Sequence, residues 1–157
     1  MKESILQLKD YFITKTFVQL NSGFRFDEPS NLEAEDLTLD IESNMLMHPE
    51  TKEEVFKVDM KISVKSESIK KCNLPYIFDI SSVGIFGLAD SCKENREKIA
   101  VISGAIILFS SVRDYLAGIT GHGPFPRVLL PTVDLRGLAK NEPPKPKASI
   151  KLQKKKK

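Results

Sequence analysis

The sequence has little cysteine and little histidine, with two residues of each among its 157. Cys72 and Cys92 form no CxxC pair, and neither His48 nor His122 has a second histidine or cysteine at the spacing of zinc ligands. GxSxG, P-loop and HExxH motifs are absent as well. These absences argue against a metal centre, a bound cofactor and an enzyme. Because no signal peptide is recognisable, the unpaired cysteines predict a reducing, cytoplasmic location.

Long apolar runs are also missing. The longest one, at residues 99–109, is interrupted by Ser103 and Gly104 and is about half of the roughly 20 residues that a membrane-spanning helix needs. The chain is nevertheless long enough, with 41% apolar residues, to bury the core of one domain. The sequence therefore predicts a folded protein without membrane insertion.

The net charge of +3 is unevenly distributed along the chain. Residues 140–157 contain eight lysines and one acid, whereas residues 1–139 contain 16 basic and 20 acidic residues. Proline and lysine without apolar periodicity predict a disordered basic tail at 140–157, after a domain at 1–139. Such a tail could neutralise phosphates, but the domain offers no basic face with stacking aromatics. Specific nucleic-acid binding is therefore disfavoured, and a solubilising or partner-steering role is favoured.

Alternating apolar and polar residues predict an antiparallel sheet. Residues 37–43 and 56–65 alternate, and the Pro- and charge-rich stretch between them has the composition of a hairpin turn. Two more strands are predicted at 76–82, closed by Gly84, and at 10–20, which is apolar on both faces. Because the connections are too short for helical crossovers, a meander or a Greek key is expected.

The period then changes to that of a helix. Asp90 or Ser91 can provide its N-terminal cap, and the pattern extends to about Thr120 before Gly121 ends it. The apolar residues form two stripes, so the helix is predicted to be covered on one side by the sheet and on the other by a second copy of the chain. The stripe assigned to contacts between copies consists of Ile99, Ile102, Ile106, Phe109 and Leu116.

Several predicted loops contain large apolar side chains. Any one of them could anchor its loop on the core, but together, on a domain without a catalytic constellation, they favour an exposed apolar groove for protein chains. His122 lies in the same Gly-rich turn as one of these residues and is interpreted as locally hydrogen-bonded rather than catalytic. The loop residues are Phe24, Phe26, Ile85, Phe86 and Phe125.

Three stretches occur in a recognisable order. They are TLDIES with FKVDMKISV, then YIFDISSVGIFGL, then GAIILFSSVRDYLAGITGHGPFPRVLLPTVDLRGL, which includes Arg113 and Asp114. In order and spacing they resemble the central hairpin, the last strand, and the long helix with its following loop in the SecB family, the bacterial export chaperones and their SecB-like relatives. The resemblance covers about residues 7–138.

This resemblance implies an α+β fold, with a four-stranded, Greek-key-like antiparallel sheet packed on one long helix and assembled as a dimer of dimers. It also implies an ATP-independent holdase that binds unfolded or nascent polypeptides in apolar grooves, prevents their aggregation and hands them on. Extended chains fit a groove that offers a sheet edge and apolar pockets. The groove residues implied by the resemblance are Phe24, Phe26, Ile85, Phe86, Phe125, Val128 and Leu129.

Some positions depart from the family's pattern. Ile77 and Asp79 match the sheet face on which exporting members dock the translocase ATPase SecA, but Thr16 and Leu20 stand where that face has acids. The stretch NEPPKPK cannot form the family's second helix. These differences disfavour SecA as a partner. They leave, as the alternative function, a dedicated adaptor that binds a single partner such as an antitoxin.

Overall fold

Four strands and one long helix make up the fold. The computed structural model describes residues 4–90 and 92–139, so the basic tail predicted at 140–157 lies outside the described residues. Two short 3₁₀ turns, at Ala34–Asp36 and Leu135–Ala139, complete the described chain. The elements are β1 (Leu6–Leu20), β2 (Leu37–Met47), β3 (Glu54–Val64), α1 (Ser66–Lys71), β4 (Tyr76–Leu88) and α2 (Arg96–Gly121).

The strands form one antiparallel sheet in the order β1-β4-β3-β2. Strands β2, β3 and β4 follow one another as neighbours, and β1 returns to lie beside β4, which is the Greek-key arrangement. The predicted α+β class, with its four strands and one long helix, is therefore confirmed. The predicted hairpin turn is also present, because the His48 N–H donates to the Glu53 carbonyl at 2.8 Å.

One face of the sheet is buried under α2, as the alternation of β3 and β4 requires. The other face is polar or half-buried, so β3 and β4 show the expected period of two. From the helix, Leu108, Val112 and Leu116 are fully buried in the same core. The buried residues of the two central strands are Phe56, Val58, Met60, Ile62, Phe78, Ile80 and Phe86.

Strand β4 does not end at Gly84, which corrects the sequence prediction. It continues to Leu88, and Gly84 lies against the ring of Phe86, where an added Cβ would be 2.6 Å from Phe86 Cε2. A Cβ at Gly104 of α2 would lie 3.0 Å from the same ring atom. The two glycines therefore make room for an aromatic ring between sheet and helix, and neither of them ends an element.

Helix α2 begins later than predicted, at Arg96. Asp90 lies six residues before this start, Ser91 lies outside the described residues, and the cap position is taken by Asn95 with φ 54°. Arg96 fixes this start, because its guanidinium donates to Glu54 Oε2 at 2.9 Å and to the Cys92 carbonyl at 2.7 Å. The predicted end at Gly121 is confirmed.

The outer side of α2 is partly covered by the chain itself. The 3₁₀ turn Leu135–Ala139 packs against the helix. Phe109 and Leu116 belong to the buried core of the chain, so these two side chains have almost no surface left for contacts between copies. That corrects the predicted interface stripe, of which Ile106 is exposed and Ile99 and Ile102 are half-buried. By length and composition α2 could also cross a membrane, a test that sheet-packed core helices of soluble proteins pass too.

A buried carboxylate secures the start of β2. Asp36 is 2% exposed and accepts hydrogen bonds from Ser68 Oγ (2.7 Å) and from the Glu33 N–H (3.1 Å), with Lys71 Nζ at 3.3 Å. Several hydrogen-bond donors hold the pKa of Asp36 well below its usual range, and the Ser68 hydroxyl has the largest effect among them. The charged form therefore belongs to the folded state, and this contact joins α1 to the sheet.

Asp36→Asn is expected to destabilise the protein at neutral pH. Since the pKa is lowered in the folded state, the carboxylate stabilises the fold above the unfolded value of about 3.9, and this stabilisation is lost as the pH falls below it. Urea midpoints of wild type and variant should therefore converge between about pH 5 and pH 2. Asp40→Asn, at an exposed position on β2, is the control. A difference between wild type and Asp36→Asn that is constant over this range would contradict the role of the charge.

Candidate functional site

Three phenylalanines from two distant loops meet at one end of the sheet. Ring centroids lie 5.0 Å apart for Phe24 and Phe26, 5.2 Å for Phe24 and Phe125, and 5.4 Å for Phe26 and Phe125. Phe26 is 71% exposed, which is unusual for so large an apolar side chain. We call Phe24, Phe26 and Phe125 the aromatic cluster. The cluster brings together the loop between β1 and β2 and the loop after α2.

The loop between β1 and β2 is held by Asn73, a buried residue in the turn before β4. Its Oδ1 accepts from the Arg25 N–H, and its Nδ2 donates to the carbonyls of Arg25 and Glu28, all at 2.9 Å. Asn21 adds a further contact, since its Nδ2 donates to the Leu74 carbonyl at 2.7 Å. Hydrogen bonds between these asparagine side chains and the backbone thus hold the loop on both sides of Phe24 and Phe26.

The loop after α2 is held by Tyr76, the first residue of β4. The Tyr76 hydroxyl accepts from the Phe125 N–H at 3.2 Å and lies 3.3 Å from the carbonyls of Thr120 and Phe125, to either of which it can donate. Its ring centroid is 6.0 Å from that of Phe125. Thr120 fixes the next turn, because its Oγ1 accepts from the Val128 N–H at 3.0 Å. Tyr76 is therefore the buried residue that supports the aromatic cluster from below, through its contacts with Phe125.

Gly123→Ala is expected to disturb this loop, because a Cβ at Gly123 would collide with the Tyr76 hydroxyl. Overpacking of this kind costs about 1–3 kcal/mol of unfolding free energy. Gly137→Ala is the matched control, since a Cβ there meets no atom within 4 Å. Urea unfolding checks the prediction, and equal stability of the two variants would show that Tyr76 does not fix the loop.

Other predicted groove residues lie elsewhere. Phe86 is buried in the core under α2, and Ile85 is half-buried on the opposite face of the sheet. Both lie about 30 Å along β4 from Tyr76, at about 3.3 Å per residue. Val128 is buried as well, whereas Leu129 is exposed. The structure thus corrects the predicted groove at Ile85 and Phe86, because the alternation of β4 directs one to the outer face and the other into the core. It corrects Val128 as well, because that loop residue is buried, with its N–H bonded to Thr120 Oγ1.

The remaining candidates have local roles in the structure. His48 Nδ1 accepts from the N–H groups of Glu50 (3.3 Å) and Thr51 (3.2 Å), and His122 Nδ1 lies 2.6 Å from the Gly118 carbonyl at the end of α2. Neither histidine belongs to a cluster of metal-ligand residues among residues 4–90 and 92–139. The local hydrogen bonds in these turns therefore account for the position of each histidine.

The face of the sheet opposite α2 has mixed charge. Asp79 lies there between Lys15 Nζ, at 2.5 Å, and Lys61 Nζ, at 3.7 Å, and Ile77 is half-buried on the same strand. The predicted docking pair is therefore on one face, as the alternation of β4 required. Lys15 and Lys61 partly neutralise the carboxylate of Asp79.

Sequence reasoning missed Tyr76 and Asn73. Both hold the loops through hydrogen bonds to residues 44 to 49 positions away, and no local pattern reports such a contact. One signal was present in Tyr76 itself, because a tyrosine at a buried strand position needs a partner for its hydroxyl. The arrangement offers apolar and aromatic contact surface and no nucleophile paired with a base.

Comparisons with known proteins agree with this architecture. The family model described as "Preprotein translocase subunit SecB" matches residues 14–145. The protein-export protein SecB of Bradyrhizobium diazoefficiens is 29% identical over 86 residues, 55% of this chain and 52% of the relative. That of Maricaulis maris is 28% identical over 103 residues, 66% of this chain and 56% of the relative. The chain thus spans about half the length of the curated relatives it matches.

A solved structure is similar over most of the chain. It is the Mycobacterium tuberculosis SecB-like chaperone in complex with a ChAD peptide from the HigA1 antitoxin. The TM-score is 0.50 at 17% identity, and the match covers 82% of this chain and 87% of that chain. At this identity the likeness establishes the fold.

Proposed function

Because the chain belongs to the SecB family, we propose that it is an ATP-independent holdase chaperone, which binds unfolded polypeptides and prevents their aggregation. The observation that carries this proposal is the aromatic cluster, in which Phe26 is 71% exposed and Phe24 and Phe125 are half-buried. An apolar patch kept on a soluble surface marks a site for another molecule. Unfolded chains expose the apolar side chains that such a patch can bind.

The cluster suits clients of varied sequence. Aromatic pairs contribute about 0.5–1.5 kcal/mol each beyond the burial of their area, and one geometry that they prefer, edge-to-face, is already present here. Such contacts discriminate weakly between aromatic and aliphatic partners. The rigid attachment of both loops keeps the entropy cost of binding low. Several weak contacts along one extended client then give useful affinity.

An aggregation assay tests the holdase. An unfolded model protein is diluted from denaturant with increasing amounts of the chain, and light scattering is followed without ATP. Suppression at substoichiometric or equal ratios is expected. The absence of suppression at every ratio would contradict the proposal.

A second candidate is an adaptor that binds one partner, such as an antitoxin. One observation favours it, namely that the similar solved chaperone was captured with a peptide from the HigA1 antitoxin. The two candidates differ in a pull-down from the native host. One dominant partner would support the adaptor, whereas a broad set of nascent proteins would support the holdase.

We further propose a cytoplasmic homo-oligomer, a dimer of dimers as in the family, that inserts into no membrane, binds no nucleic acid specifically and uses no cofactor or catalytic residue. The exposed Ile106 on α2, with its half-buried neighbours Ile99 and Ile102, supports an interface there. SecA remains disfavoured as a partner, since Lys15 and Lys61 contact Asp79 on the face that would receive it. Multi-angle light scattering tests the oligomer.

A further inference from the structure

The segment that follows α2 has the features of a β-strand but no partner strand. Residues 126–134 lie in no helix, turn or sheet, and residues 124–134 contain three prolines, which keep the backbone extended. The side chains alternate as in a strand, because Val128 is 4% and Leu130 is 1% exposed, whereas Leu129 between them is 49% exposed. The segment pairs with none of the four strands of the sheet.

The backbone of this segment has one bonded side and one open side. The Val128 N–H donates to Thr120 Oγ1 at 3.0 Å. In an extended chain the N–H and C=O groups of successive residues point in opposite directions, so those of Arg127 and Leu129 point away from Thr120. These four groups form no hydrogen bond with any residue that the structure describes, and both residues are exposed. Unpaired backbone groups on an exposed, extended segment are a template for another strand.

The template adjoins the aromatic cluster. Phe125 comes directly before the segment, and its ring contacts those of Phe24 and Phe26. The exposed side chain of Leu129 extends the apolar surface along the segment. An extended chain that carries apolar side chains and free amides is therefore complementary to both the backbone template and the cluster.

We propose that an unfolded client adds as a β-strand to residues 127–130 and forms hydrogen bonds with the N–H and C=O groups of Arg127 and Leu129. This inference rests on the proposed function and deepens it, because it states how the client is held. Pro126 and Pro131 lack an N–H, so they limit the pairing to four residues, about 13 Å at about 3.3 Å per residue.

The added strand also defines the class of client. Backbone hydrogen bonds are available from every amino acid except proline, so the pairing accepts varied sequences but requires a short stretch without proline. Within that stretch, the side chains on the same face as Leu129 are expected to be apolar. Each lost hydrogen bond should weaken binding by about three- to tenfold.

Hydrogen exchange of the full, ¹⁵N-labelled chain tests the added strand. The client is a reduced, carboxymethylated model protein, which stays unfolded, and fluorescence anisotropy measures its binding separately. At saturation, the amides of Arg127 and Leu129 should exchange at least about tenfold more slowly than in the free chain. The amide of Thr132, which lies on the same side of the segment as that of Val128, should change little.

Three outcomes would overturn the proposal, and they have different meanings. If the client binds but both amides exchange as in the free chain, the added strand is wrong and the holdase remains. If no client binds, the proposed function fails as well. If the two amides become protected at high protein concentration without client, the occupant is a second copy of the chain.

A backbone substitution gives an independent test. Leu129→Pro removes the N–H and the leucine side chain, whereas Leu129→Ala removes only the side chain. The proline variant should bind the client about three- to tenfold more weakly than the alanine variant. Thr132→Pro, which removes an N–H from the other side of the segment, should bind as wild type does. Equal affinity of the two Leu129 variants, with equal urea midpoints, would contradict a hydrogen bond at this position.

Discussion

Replacing Phe86 with alanine is expected to lower the free energy of unfolding by about 3–5 kcal/mol, the usual cost of emptying a buried aromatic site. Phe86 is 0% exposed, and its ring fills the space that Gly84 and Gly104 leave between β4 and α2. Neighbouring backbone cannot collapse into that space without moving the helix. Urea or guanidinium unfolding measures the effect.

Ile85→Ala is the matched control for this prediction. The residue is adjacent in sequence but lies on the other face of the sheet and is half-buried. A loss of about 1 kcal/mol or less is expected. If Phe86→Ala instead left stability unchanged and weakened client binding, Phe86 would be a groove residue, as the sequence alone had suggested.

Phe125→Asp is expected to weaken binding of an unfolded client by about 30-fold, equivalent to roughly 2 kcal/mol. The ring of Phe125 contacts both Phe24 and Phe26, so its loss removes two aromatic contacts at once. The new carboxylate would also have to lose hydration wherever an apolar client side chain covers it. Fluorescence anisotropy of a labelled, permanently unfolded client gives the dissociation constant.

Phe12→Asp is the control for this experiment. Phe12 is 49% exposed on the face of β1 that is turned away from α2, and it lies away from the aromatic cluster. The substitution of phenylalanine by aspartate is the same as at Phe125. Its affinity for the client should equal that of wild type. Equal weakening by both substitutions would indicate a diffuse apolar effect and would contradict a defined site.

The strands were predictable because the alternation of apolar and polar residues within each central strand follows the burial of its two faces. In β3, Val58, Met60 and Ile62 alternate with charged or polar residues, and the face that they define is the buried face. Glycine and the helix cap were less predictable. Gly84 has the local appearance of a strand end, but its role depends on Phe86 and Leu108, which approach it only in the folded chain. Asn95 occupies the cap position of α2 in a left-handed backbone conformation, which no sequence pattern required.

The site could be predicted only in part for the same reason. Large apolar residues in loops are locally visible, so Phe24, Phe26 and Phe125 were recognisable as candidates. Their supports were not recognisable, because Asn73 and Tyr76 act through hydrogen bonds across the fold. A family pattern also placed Ile85 and Phe86 in the groove, although the side-chain alternation of β4 directs one to the outer face and the other into the core.

One measurement tests the central claim most directly, namely the map of amide chemical-shift changes when an unfolded client is titrated into the ¹⁵N-labelled chain. The account predicts the largest changes at residues 21–28 and 121–129, the two loops that build the aromatic cluster. Gly137 and the central residues of β3 should change little. Changes confined to the opposite face of the sheet, around Phe12 and Asp79, would contradict the account.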